Sequence, residues 1–84
     1  SIEYGILEKA DNVYMMTCDF GWSDLGTWGT YHDVQQKDES GNVINSSQVL
    51  HYDCRECVVY SKDEKKLIVL QGLEDYLVIG YQLI

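Results

Sequence analysis

Apolar centres recur every nine or ten residues through the second half of the chain, at Val49, Val59, Val69 and Val78. Each sits in a short β-prone run: Gln48–Tyr52, Cys57–Tyr60, Leu67–Leu70 and Tyr76–Tyr81, with Val43-Ile44 ahead of them. Turn-forming clusters separate the runs at Asn45-Ser46-Ser47, Asp53–Glu56, Lys62–Lys65 and Gly72–Asp75. Strands this short are stable only when each stacks on the next, so the spacing predicts either a meander or the rungs of a β-solenoid. Similarity between the units is too weak, residue by residue, to define a formal repeat.

The first half reads differently. Ile2, Ile6, Leu7 and Ala10 lie near one face at helical spacing, with Ser1 as a cap and Glu3 in the first turn, so a helix is expected over 2–10. Gly5 costs that helix about 1 kcal/mol relative to Ala. Asp11-Asn12 breaks the pattern, and Val13–Cys18 reads as a strand. After a glycine-rich and tryptophan-rich stretch, Ser23 or Asp24 is placed to cap a second helix. Leu25, Trp28, Tyr31 and, less regularly, Val34 carry that helix to about Gln35 or Gln36. Lys37–Asn42 is a polar turn cluster. The expectation is an α+β chain: a helix-strand-loop-helix unit over residues 1–40, then a small all-β unit over 41–84.

Charge narrows the function. Fourteen acidic residues against six basic ones give a net charge of −8, which repels phosphate backbones and argues against nucleic acid or an anionic membrane as partner. No apolar run reaches the ~20 residues of a membrane span. At 84 residues the chain buries only roughly 60–65% of its unfolded surface, so its own core is marginal. Three cysteines, Cys18, Cys54 and Cys57, are too few and too odd for a disulfide scaffold, and a reducing, cytoplasmic setting is expected. The start at Ser1 and the end on Leu83 and Ile84, inside a strand pattern, read as the ends of an excised piece.

Several constellations resemble chemistry without completing it. Asp19-Phe20-Gly21 spells a kinase metal tripeptide, but the catalytic loop and activation segment that kinases need do not fit in this length. Gly21–Thr27 has glycines spaced as in a phosphate loop but lacks the lysine. His51, Cys54 and Cys57 form an H-x2-C-x2-C cluster that offers three zinc ligands and no convincing fourth; the alternative is that both cysteines fill space at a strand turn. Ser23, His32 and Asp33 supply the residue types of a hydrolase triad without a nucleophile elbow, and His32 reads better as a half-buried helix residue. Asp24 differs from these. It lies where a loop becomes a helix, between Gly21 and Gly26, and a carboxylate there suits either Mg²⁺ or a plain N-cap.

At this stretch the chain resembles a known family. Ser1–Tyr14 (SIEYGILEKADNVY), Asp19–Trp28 (DFGWSDLGTW), Gly41–Ile44 (GNVI) and Leu67–Val78 (LIVLQGLEDYLV) are similar, in order, to bacterial mannose-1-phosphate guanylyltransferases, also called GDP-mannose pyrophosphorylases. The family's nucleotide-binding G-G-x-G-x-R-x-x-P signature does not occur in these 84 residues. The resemblance therefore implies a C-terminal portion: the end of the catalytic domain followed by a β domain like a short left-handed β-helix. It implies that Asp24 is the catalytic, metal-holding aspartate, with Mg²⁺ as cofactor. Ser1, Glu3, Tyr4, Glu8 and Lys9 match a motif beside the sugar-phosphate site. Of these, Glu3, Glu8 and Lys9 are the substrate-binding candidates.

The implied substrates are GTP and mannose 1-phosphate, converted to GDP-mannose and pyrophosphate, with the 84-residue chain inactive by itself. A reading of another class is a non-catalytic docking or dimerisation module. In it the β half packs on its own N-terminal catalytic domain or on a second copy, through residues such as Tyr52, Tyr60, Tyr76, Tyr81, Leu67 and Ile68.

Overall fold

A computed structural model describes residues 6–10, 13–18, 21–22, 26–46, 48–62 and 65–80. The first element is a strand, β1 (Ile6–Ala10), paired antiparallel with β2 (Val13–Thr17). This corrects the helix expected over 2–10 for its described part; residues 1–5 lie outside the described residues. The physical reason is competition. A helix of nine residues containing a glycine is marginal in water, whereas a strand here gains a ladder on β2 from Ile6↔Met16 to Ala10↔Val13, interrupted only at Lys9. Two turn-forming residue types between two apolar runs are a hairpin signal that outweighs the helical spacing.

The helix α1 runs Thr27–Val34, and five short strands follow: β3 (Val43–Asn45), β4 (Val49–Tyr52), β5 (Val58–Ser61), β6 (Ile68–Gln71) and β7 (Tyr76–Gly80). These five match the expected β runs to within a residue or two. Alternate strands stack. β3, β5 and β7 lie parallel and adjacent in one sheet, while β4 and β6 pair parallel in another. Arg55 and Glu74 form a parallel bridge between these stacks. Val49 pairs with Ile68, Arg55 with Glu74 and Val58 with Leu77, each an advance of 19 residues. The nine-to-ten-residue spacing in the sequence is thus half of that 19-residue advance, while β3 pairs with β5 at an advance of 15 residues, Val43 to Val58.

The corners repeat with the strands. Asp53 (φ 54°) follows β4 as Gly72 (φ 71°) follows β6, and Glu56 (φ 52°) stands to Arg55 as Asp75 (φ 59°) stands to Glu74. Left-handed backbone at these four stations turns the chain at equivalent points, 19 residues apart. Gly72 N–H donates to Tyr52 O and Asp75 N–H to Arg55 O, so the corners are bonded coil to coil as well as the strands.

The larger sheet, ordered β1-β2-β7-β5-β3, joins the two halves of the chain, because β2 pairs antiparallel with β7. Its strands β5 and β7 are buried on both faces. Val13, Val59 and Val78 pack against Ile68 and Leu70 of the two-stranded sheet, together with Cys54 and Cys57. Val43, Val58 and Leu77 face the other way, onto Cys18, Trp22, Trp28 and Tyr31. Val58, Val59 and Val78 are all 0% exposed, the pattern of a strand covered on both sides. Val69, one of the apolar centres, instead points outward at 57% exposure, and its neighbours Ile68 and Leu70 fill the core. Val34, placed on the apolar face of α1 by its spacing, is 70% exposed; the helix buries Gly29 and His32 instead.

Asn42 organises the junction between α1 and the coils. It is 2% exposed, donates through Nδ2 to Cys54 O (2.7 Å) and to Asp38 Oδ2 (3.0 Å), and accepts from Cys57 N–H at Oδ1 (2.9 Å). Asp38 Oδ1 accepts from the backbone N–H groups of Ser40 and Asn42. Partial burial pushes the Asp38 carboxyl up, but hydrogen bonds from the Asn42 backbone, the Asn42 side chain and the Ser40 backbone, with the nearby His51, outweigh it and leave its pKa lowered. A lowered folded pKa stabilises the fold above the ordinary value of 3.8, and that contribution is lost as pH falls through the lower folded value. Urea unfolding across a pH series is therefore expected to show a shallower acid limb in Asp38→Asn than in the unsubstituted chain. Equal limbs would contradict this assignment.

Candidate functional site

Described residues on both sides of residue 24 are held by specific contacts. Cys18 N–H donates to Asp75 O, and Gly21 N–H returns to Cys18 O at 2.8 Å. Trp22 is 8% exposed and donates from Nε1 to Glu56 O at 2.9 Å. Its indole lies flat on the His32 imidazole, with ring centroids 4.9 Å apart and an 8° interplanar angle. On the far side Gly26 is the N-cap of α1, at φ 59°, and Thr30 N–H donates to Gly26 O. No side chain caps the helix, so the expected cap at Ser23 or Asp24 is replaced by Gly26, whose backbone conformation excludes most other residues. Glycines with positive φ, Gly21 (100°) and Gly26 (59°), flank the stretch.

Asp24 itself, with Ser23 and Leu25, lies outside the described residues, as do Asp19 and Phe20 and the candidates Ser1, Glu3 and Tyr4. Glu8 and Lys9 fall on β1, the edge strand of the larger sheet. Glu8 pairs with Tyr14, and the register shifts between Glu8 and Ala10, a bulge at Lys9. Four residue steps lead from Tyr14 to Cys18, which at ~3.4 Å per residue places Glu8 on the order of 13 Å along the strand from Cys18.

His32 is almost fully buried rather than half-buried. Its Nε2 stands 3.2 Å from Gly41 O and 3.2 Å from Glu56 Oε2, both acceptors, so this nitrogen carries a proton. Beside it Trp28, Tyr31 and Tyr60 meet edge to face in a cluster, with centroids 5.6–6.1 Å apart. Neither partner of His32 belongs to the triad types singled out in the sequence.

The cysteines of the H-x2-C-x2-C cluster serve as core. Cys54 Sγ–H donates to Tyr52 O, and Cys57 Sγ–H faces Arg55 O and Leu73 O. Burial pushes the Cys57 thiol up, away from the thiolate that zinc requires. Among the described residues no three of His, Cys, Asp and Glu converge as a metal site. His51 turns instead toward Asp38, with Nε2 3.9 Å from Oδ2, at the edge of an open polar depression of about 550 Å³ lined also by Ser40, Asp53 and Arg55.

Sequence reasoning missed Glu56 and Asn42. Asp38 and Asn42 at i and i+4 within a polar turn carry a recognisable Asx-turn signal. Nothing around Glu56 distinguishes it from any charged turn residue.

No protein-family model matches the chain, and no solved structure matches it. Over 79 residues, 94% of its length, the chain is 35% identical to the alginate biosynthesis protein AlgA of Pseudomonas aeruginosa. It is 34% identical over the same share to a mannose-1-phosphate guanylyltransferase of Escherichia coli, and 33% identical to the xanthan biosynthesis protein XanB of Xanthomonas campestris. The chain spans 16% of the length of each of these relatives. It is homologous to one segment of them.

Proposed function

We propose, from its kinship with the mannose-1-phosphate guanylyltransferases over 94% of its length, that this chain is a working segment of a sugar-nucleotide pyrophosphorylase. The full-length protein joins GTP to mannose 1-phosphate, giving GDP-mannose and pyrophosphate. A sugar-phosphate oxygen attacks the α-phosphorus of the nucleotide in line, and pyrophosphate leaves on the opposite side. Both reactants are anions, so the site must offset their repulsion and hold them aligned.

In this reading Asp24 holds Mg²⁺. The observation that carries it is the frame around residue 24, pinned by buried Trp22 on one side and by the Gly26 cap of α1 on the other. Such a frame fixes the two ends between which the carboxylate would meet the phosphates. The donor chemistry also fits, since Mg²⁺ is held by one or two carboxylates together with substrate phosphates. When bound, the ion supplies charge neutralisation at the phosphates and the departing pyrophosphate. Glu3, Glu8 and Lys9 contribute to the sugar-phosphate side, with Lys9 drawing in a phosphate and Glu8 accepting from a sugar hydroxyl.

Residues 1–40 then belong to the end of the catalytic domain and 41–84 to a β domain of the left-handed β-helix kind. The stacked parallel strands and their repeating corners support that assignment. Three buried cysteines, none in a disulfide, suit a cytoplasmic enzyme. A docking or dimer-forming role for the β domain is compatible with catalysis. It is favoured by Leu50, Tyr52, Leu67 and Val69, about half-exposed on or beside the outer face of β4 and β6.

The test is product formation. The full-length protein, given GTP, mannose 1-phosphate and Mg²⁺, is expected to make GDP-mannose, and the 84-residue chain to release no pyrophosphate. No product from the full-length protein would refute the activity, and turnover by the short chain would refute its assignment as an incomplete site.

A further inference from the structure

We infer that the open polar depression between the turn after α1 and the corner after β4 binds a neutral, hydroxyl-rich ligand, a sugar ring, through Asp38, His51, Asp53 and Arg55. The inference stands apart from the guanylyltransferase reading and does not depend on Asp24.

The depression holds about 550 Å³ and its walls are largely polar. Asp38 Oδ2 and His51 Nε2 stand 3.9 Å apart, too far for a hydrogen bond, and both side chains are about one-third exposed. A ligand hydroxyl, donor and acceptor in one group, can serve both. The carboxylate is prepared for it. Bonds from the Ser40 and Asn42 N–H groups and from Asn42 Nδ2 fix its position, and its lowered pKa keeps it an acceptor. Arg55 gives Nη2 to Glu74 Oε2 at 3.3 Å, and the other donors of its fork remain. A second depression, about 510 Å³, shares Asp38, Asn42 and His51 with the first. It adds the Tyr31 ring, held through its hydroxyl by Asn45 Nδ2 at 2.7 Å.

The backbone carries an independent observation. Asp53 is in left-handed conformation at φ 54°, whereas the equivalent corner 19 residues on has Gly72 at φ 71°. Left-handed backbone costs a residue with a Cβ more than it costs glycine. His51 likewise stands where the paired strand has the buried Leu70. A strand at the end of a stack needs polar side chains toward water, which accounts for His51. It does not account for an aspartate where glycine relaxes the turn. Both departures line the same depression, and non-glycine residues in such conformations cluster at ligand sites.

Charge selects the ligand. Asp38 and Asp53 set two carboxylates against Arg55, which already faces Glu74. Lys37 is turned to the carbonyls of Asp33 and Gln35. A phosphate is repelled there, while hydroxyl groups find acceptors and donors side by side.

The test uses the full-length protein, with D-mannose and D-glucose as probes, read at the backbone amide signals of ¹⁵N-labelled His51 and Arg55. At least one sugar is expected to shift both signals to saturation, with a midpoint on the order of millimolar. Asp53→Gly is the decisive variant, because it relaxes the backbone and removes the carboxylate. Its Tm is expected to be no lower than that of the unsubstituted protein, while the midpoint rises at least about tenfold. His51→Ala, at a partly exposed position, is expected to weaken binding by a similar factor. A midpoint unchanged within about twofold in either variant overturns the inference, as does the absence of any saturable shift. A fall in Tm in Asp53→Gly assigns the carboxylate to the fold and overturns it too. Equal shifts from glycerol at the same molarity mark an adventitious additive only, and tighter binding of mannose 1-phosphate at these signals reverses the charge argument; either result overturns it.

Discussion

Replacing Asp24 by Asn in the full-length protein is expected to lower kcat at least ~10²-fold while the folded content stays the same. The exchange keeps the volume and the hydrogen-bonding reach of the side chain and removes only its charge. A site that brings two anions together feels that loss directly, and ~10²-fold corresponds to about 2.7 kcal/mol of transition-state stabilisation. The competing account of Asp24 as a helix cap makes a different forecast. Loss of a cap costs about 1 kcal/mol of stability and leaves the rate untouched. The position of the cap at Gly26, with no side chain bonded to the first turn of α1, already weighs against it. Steady-state kinetics with a circular-dichroism melt alongside distinguish the two. A near-normal kcat would remove Asp24 from the site.

The second large effect concerns the fold. Asn42→Ala removes a buried amide that serves Cys57 N–H, Cys54 O and the Asp38 carboxylate at once. Two backbone groups are left without partners in the core, at roughly 1–3 kcal/mol each. Against a total stability of about 5–10 kcal/mol for a domain of this size, that is a large fraction. The expected fall in Tm is on the order of 10–20 °C. Asn42→Asp should do no better, because it turns an acceptor toward Cys54 O and sets a second carboxylate against Asp38. A melt of either variant within about 4 °C of the unsubstituted chain would show that water replaces the amide.

How far the sequence reveals these features depends on the range of the interaction involved. The five strands of the second half are legible because each is short, β-prone and closed by its own turn cluster, all local properties. Their spacing fits a meander as well as a stack, and only the parallel pairing of alternate strands decides between them; Val69 likewise shows that spacing alone does not decide which residue of a strand faces inward. The first element is misread because Ile2, Ile6, Leu7 and Ala10 fit a helix locally, while the ladder to β2 that settles the matter is a pairing between segments. Asp24 stands out through its glycine flanks and through kinship. The contacts among Trp22, His32 and Glu56 do not, since the bond from Trp22 to Glu56 joins residues 34 apart in the chain. The H-x2-C-x2-C cluster misleads for the converse reason: close in sequence, its side chains turn to different backbone carbonyls and to Asp38.

The most direct test of the central claim places a paramagnetic ion in the site. In the full-length protein labelled with ¹⁵N-glycine, with GTP bound and Mn²⁺ in place of Mg²⁺, the amide signals of Gly21 and Gly26 are expected to broaden, those of Gly72 and Gly80 to stay sharp, and the broadening to vanish in Asp24→Asn. Sharp Gly21 and Gly26 signals in a protein that turns over with Mn²⁺ would contradict the claim that this loop holds the catalytic metal.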